Sequence, residues 1–300
     1  MSLTAIWIAA GLALAQQAQD QPSDLPDVLV SAARGTERQA RSFVEEISSA
    51  PTHALSIARW MEPICIATVN LRENTAAAIT ARIEAHARDV GVAVQAPGCS
   101  PNITLLATSD GRLTASELVG AYRDRFIVSQ GSTQGDGRAL KRFAEDEVAV
   151  RWWPISALTD ELTGRVLVAI WGRPPPVRST PGEIYLGQDQ REALLTTLVI
   201  LDLSRTGAVS EAALADYLTM VVLANIDPDA RGGSTPSILD LWDGGPAPTS
   251  LTAWDRAYLK ALYEAPVRLS GGPSQLRSLY QRNEMARIMA RELSQDDATP

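Results

Sequence analysis

An α+β fold, a mixed β-sheet with helices packed on it and one disulfide, is predicted from three observations. Buried-strand patterns alternate with amphipathic helix patterns through the first two hundred residues, three helices then follow in succession, and two cysteines sit beside neighbouring strand patterns. A chain of 300 residues that is 45% apolar can bury a sizeable core.

The elements follow in order. "MSLTAIWIAAGLALA" is apolar from residue 5 to 15, ends in Ala13-Leu14-Ala15 and runs into polar "QQAQDQPSD". This small-x-small ending predicts a signal peptide over residues 1–15, with the amino terminus as its only positive charge. The apolar run is too short for a transmembrane anchor. Residues 16–26 read as a flexible leader, 27–295 as a single α+β domain and 296–300 as a disordered tail. "DVLVSA" suggests a short strand. Thr36 with Gln39 predicts a capping box for a helix with Ala40, Phe43, Val44 and Ile47 on its buried face. "PICIATVNL" is a buried strand. A helix from about Asn74 carries Ile79, Ile83, His86 and Val90 on its core side and stops at Gly91. "NITLLATS" is a second buried strand, and it contains a glycosylation sequon at Asn102 that a bacterial source would leave unused.

Leu113, Thr114 and Glu117 predict a capped helix through Leu118, Val119, Tyr122 and Phe126. "SQGSTQGDGR" lacks the Gly-Lys-Ser/Thr ending of a phosphate loop and reads as a flexible surface loop. "EVAVRWWPI" and "RVLVAIW" are strand patterns. Trp152 and Trp153, being adjacent, point to opposite faces, and the outward one would line a groove with Trp171 or sit on a rim. "GRPPPVRSTPG" must be extended, because consecutive prolines fix φ and remove donors. "TTLVILDLS" is a strand feeding "SEAALADYLTMVVLANID", a helix apolar nearly all round with Ser210 as N-cap. Asp216 within it must find a donor or face a cleft.

Composition excludes several classes. The net charge of −8 gives no electrostatic support for nucleic-acid binding. Arg277, Arg282, Arg287 and Arg291 along the last helix read as a solvated face. The abundance of alanine, with Lys141 and Lys260 as the only lysines, suggests a high-GC bacterial genome and hence a periplasmic or extracellular protein. In such a compartment Cys65 and Cys99 favour a disulfide over two buried thiols, and two thiolates alone are too few for zinc. "NIDPDARGG" fails the calcium-loop ligand count at Arg231 and Ile238 and reads as a turn. No Gly-x-Ser-x-Gly elbow is present, and Ser274 reads as a helix cap.

The helix at 210–227, the Ser237-Ile238-Leu239 loop and "LTAWDRAYLKALY" at 251–263 together resemble the C-terminal half of zincin metallopeptidases. The "LADYLTMVVLA" and "SILDLW" patterns also resemble those of a family of exported bacterial proteins. The zincin His-Glu-x-x-His motif falls on Ala215, Asp216, Tyr217, Leu218 and Thr219, so both histidines are lost and aspartate replaces glutamate. The chain's only histidines, His53 and His86, cannot rebuild that pair, so no metal, cofactor or zinc peptidase activity is expected. Thr252 and Asp255 account for the 251–263 segment as a capping box, with Trp254, Tyr258, Ala261 and Leu262 as its apolar face.

The expectation is a zincin-like domain with a cleft at Asp216, Tyr217 and Thr219. It would bind an extended peptide or an envelope protein, by strand addition at residues 196–204. The alternatives are a secreted hydrolase using a carboxylate pair, and a structural envelope protein whose cleft is filled.

Overall fold

The computed structural model describes residues 25–49, 56–126, 137–160, 166, 190–230, 233, 235–266 and 274–296. The segments 165–171 (apart from Val166) and 172–182 therefore lie outside the described residues, as do the signal peptide, His53, Trp171 and most of the 129–138 loop.

The sheet is organised around β5 (Gln190–Asp202), a strand of 13 residues. β3 (Ile103–Thr108) runs parallel to its second half, and β2 (Ile66–Val69) parallel to β3. β1 (Arg59–Trp60) runs parallel to the start of β5, while β4 (Val150–Asp160) lies antiparallel along its length. The sheet is thus mixed and predominantly parallel, with five strands among the described residues. Residues 197–201 of β5 pair with β3 and with β4, and Ala193 and Leu194 pair with β1 and with β4. Strand addition at residues 196–204 is accordingly ruled out: both ladders of hydrogen bonds are already used.

Both faces of the sheet are covered, which is why its central strands read as continuous apolar runs. On one face Ile103, Leu105, Val199 and Leu201 share one core with residues of α1 (Leu25–Ile47), α2 (Glu73–Asp89), α5 (Glu211–Leu223), α6 (Ala253–Glu264) and α7 (Ser274–Asp296). On the other, Leu198 and Ile200 meet α3 (Gly111–Phe126) and α4 (Gly137–Glu145). The tryptophan pair of β4 divides between these layers. Trp152 points to the first, its Nε1 donating to Ile226 O (3.1 Å), and Trp153 to the second, its Nε1 donating to Phe126 O (3.1 Å). Both are covered, at only 4% and 3% exposed, so neither projects from the surface.

Several local expectations are changed. "DVLVSA" lies inside α1, a single helix of 23 residues; once its alanine-, arginine- and glutamate-rich part is helical, extending through three or four β-favouring residues costs little. Thr36 is therefore interior to the helix, although Ala40, Phe43, Val44 and Ile47 form the predicted fully buried face. α3 begins earlier than predicted because Asp110 Oδ1 accepts from Leu113 N (2.8 Å), which displaces the proposed box at Thr114. Tyr122 departs from helical geometry (φ −134°, ψ 36°) and is exposed. α4 was not anticipated, although Leu140, Phe143 and Ala144 show helical spacing. On α7, Arg277 is buried, unlike exposed Arg287 and Arg291. "NIDPD" is a turn in which Asp227 Oδ1 accepts from Asp229 N (2.8 Å). Among the described residues no helix is long and apolar enough to cross a membrane.

Other local expectations match. Cys65 and Cys99 form a disulfide between the starts of β2 and β3 (Cα–Cα 6.2 Å). Asn102 supports it, accepting from Cys65 N (2.7 Å) and donating to Pro63 O (3.1 Å). Ser210 caps α5, its hydroxyl accepting from Ala213 N (3.1 Å). Ser210→Ala is expected to lower stability by about 1 kcal/mol in urea unfolding, because one helix donor loses its acceptor.

Candidate functional site

The helix that carries the zincin resemblance is enclosed, with every residue from Ala215 to Leu223 buried. An apolar helix in this position follows from a sequence without a polar stripe. Asp216 is the one charged side chain in its buried stretch, and its partners come from α2 and from the start of α6. Arg82 grips the carboxylate through two nitrogens, Nε to Oδ1 and Nη2 to Oδ2 (2.7 Å). His86, one turn further along α2, reaches Oδ1 through Nε2 (3.1 Å), and Leu251 N donates to Oδ2 (2.8 Å). Burial by itself would raise this carboxyl's pKa, but the Arg82, His86 and Leu251 bonds outweigh it and hold the group far below the usual carboxylate range. Asp216 thus ties α5 to α2 and to the entry of α6.

A second buried carboxylate, Asp255, joins the 3-10 turn Ile238–Asp240 to α6. It accepts from Ser237 Oγ (2.6 Å), Ile238 N (2.8 Å), Thr252 N (2.8 Å) and Thr252 Oγ1 (2.9 Å). The predicted capping box of Thr252 and Asp255 is therefore present, and its carboxylate also holds the preceding turn. Burial pushes the Asp255 carboxyl up, against these donors. Asp255→Ala would strand them, and a loss of about 2 to 3 kcal/mol in urea unfolding is expected, with a smaller loss for Asp255→Asn, which keeps one acceptor oxygen.

The three residues predicted to line one cleft are placed apart. Asp216 is wholly buried in its ion pair, and Thr219 Oγ1 donates to Ala215 O (2.9 Å) within its own helix. Tyr217 alone reaches a cavity, one of about 390 Å³ at the start of β4. Its ring packs edge-on to Trp242 (4.8 Å) and Trp152 (6.2 Å). The opposite wall comes from α4, through Arg142 and Phe143, and from residues 146–149. Arg151, Arg205, Asp229 and Asp243 are also part of the lining. Sequence reasoning missed Trp242, Arg142 and above all Arg82. Arg82 and His86 have the four-residue spacing of one helix face, but nothing local indicates what that face meets.

The arrangement offers an aromatic and ionic surface. Asp202, Asp216 and Asp255 have displaced carboxyl pKa values, yet none lines the cavity, and each is held by hydrogen bonds elsewhere in the fold. The cavity lining itself carries Asp146, Glu147, Asp229 and Asp243. Among the described residues no three or more His, Cys, Asp or Glu side chains are grouped so as to hold a metal ion. The chain matches no protein-family model, no curated protein and no solved structure.

Proposed function

We propose that this is an exported domain on a zincin-like scaffold that works by binding, with a partner polypeptide seated in the cavity beside Tyr217. The observation that carries the reading is the fate of the motif positions. Ala215 has no ligating group, Asp216 is engaged by Arg82, Thr219 is bonded to its own helix, and Tyr217 between them faces a cavity. The scaffold comparison is supported by the joining of its three parts. α5 meets the start of α6 through Asp216 and Leu251, while the 237–240 turn meets α6 through Asp255.

The test pairs affinity capture from a bacterial envelope extract with metal analysis, using the disulfide-bonded mature protein and a Trp242→Ala variant. Trp242 is half-buried, so its removal opens the cavity wall without placing a charge in the core. A partner held by the wild type and reduced about tenfold or more by the variant is expected, as for an aromatic anchor at an interface. Equal capture by both proteins, or stoichiometric zinc with peptidase activity lost on chelation, would overturn the proposal.

A further inference from the structure

The cavity beside Tyr217 combines an aromatic side with an ionic rim, and the state of each group narrows what fits. Trp152 Nε1 donates to Ile226 O and Trp242 Nε1 to Thr206 O (3.4 Å), so both indole N–H groups are directed to the protein backbone. The indoles therefore offer a ligand ring carbon and π-electron density rather than donors. The arginines are engaged as well. Arg142 pairs with Asp229 (3.6 Å) and Arg205 with Glu147 (2.7 Å), while Arg151 is buried and donates to Phe143 O (2.7 Å) and Asp146 O (2.6 Å). Asp146 and Asp243 add two further carboxylates at exposed positions of the lining.

We infer that the cavity takes a cationic side chain, a guanidinium or an ammonium, presented by a basic polypeptide; this rests on the binding role proposed above. An aromatic surface bounded by carboxylates attracts a cation through the ring quadrupole and through charge-assisted hydrogen bonds. The lining sets four carboxylates, Asp146, Glu147, Asp229 and Asp243, against three arginines, Arg142, Arg151 and Arg205, so it is net acidic and favours a cation over an anion. The volume, about 390 Å³, suits one long side chain. The chain's net charge of −8 steers a basic partner towards it.

The experiment uses the full mature protein with ¹⁵N-labelled indoles, titrated with n-propylguanidinium and, separately, with its uncharged counterpart n-propylurea. Saturable shifts of the Trp152 and Trp242 indole signals by n-propylguanidinium are expected, with n-propylurea at least about tenfold weaker. The double variant Asp146→Asn/Asp243→Asn should weaken n-propylguanidinium by about tenfold and leave n-propylurea unchanged, because both positions are exposed and the amide preserves shape. Equal response to the two probes, no response, or an unaffected double variant would overturn the cationic assignment. Any of these alongside capture that depends on Trp242 would leave the binding role standing, whereas failure of that capture alone would remove the role and keep the cation site.

Discussion

Replacing Asp216 with alanine is expected to destabilise the protein by about 3 to 4 kcal/mol, near the lower end for breaking a buried ion pair. The lower end applies because the Arg82 side chain is 38% exposed and can be rehydrated, whereas Asp216 is fully enclosed. The loss arises from three stranded donors, the Arg82 guanidinium, the His86 imidazole and the Leu251 N–H. Thermal unfolding should fall by on the order of 10 °C, while far-ultraviolet circular dichroism keeps its helical form. An unchanged transition temperature would mean that Asp216 does not join α5 to α2.

The same residue sets a pH dependence with a defined sign. The Asp216 carboxyl pKa is lower in the folded protein than in the unfolded chain, where it is about 3.9. Its contribution is therefore fully present above that unfolded value and is lost as pH falls from there through the folded one. Asp216→Asn should flatten the acid limb of the stability profile below about pH 4 relative to wild type. Stability measured by urea unfolding between neutral and acidic pH checks this, and parallel acid limbs for the two proteins would contradict the ion pair.

Loss of the Cys65–Cys99 bond is the second large effect. The bridge spans 34 residues, and closing a loop of that length stabilises by about 3 to 4 kcal/mol in the chain-entropy model. A Cys65→Ala/Cys99→Ala chain should unfold at correspondingly lower urea, and reducing agent should destabilise the wild type but not the double variant. The effect should stay close to the loop-entropy value because Asn102 continues to join Cys65 N to Pro63 O without the bridge. A wild type indifferent to reductant would show that the bond does not hold β2 against β3. In a reducing compartment the protein would lose this contribution, which is consistent with the proposed export.

Much of the architecture was legible because its determinants lie within a few residues of one another. The Ser210 and Thr252–Asp255 caps, the core face of α2, the burial of α5 and the strands of β2 and β3 all follow from period and capping chemistry. Where local signals competed, longer elements prevailed: "DVLVSA" has strand character over six residues, but helix α1 runs through it. The candidate site was legible only in part. Asp216 was expected to need a donor, and Arg82 supplies it from 134 residues away. The cleft at Asp216, Tyr217 and Thr219 was inferred from motif positions, yet on a helix buried all round each of the three side chains meets a different neighbour.

By itself, then, the sequence determined which segments are helix or strand over most of the described chain, where several helices begin, that two cysteines would pair and that one helix would be enclosed. Tertiary structure alone decided that β5 has neighbours along both sides, that Trp152 and Trp153 are covered by different helix layers, and that Tyr217 rather than Asp216 or Thr219 reaches the cavity. The physical reason is range: backbone periodicity and capping are settled between residues a turn apart, whereas the partner of a buried charge or a strand edge depends on which surfaces the folded chain brings together.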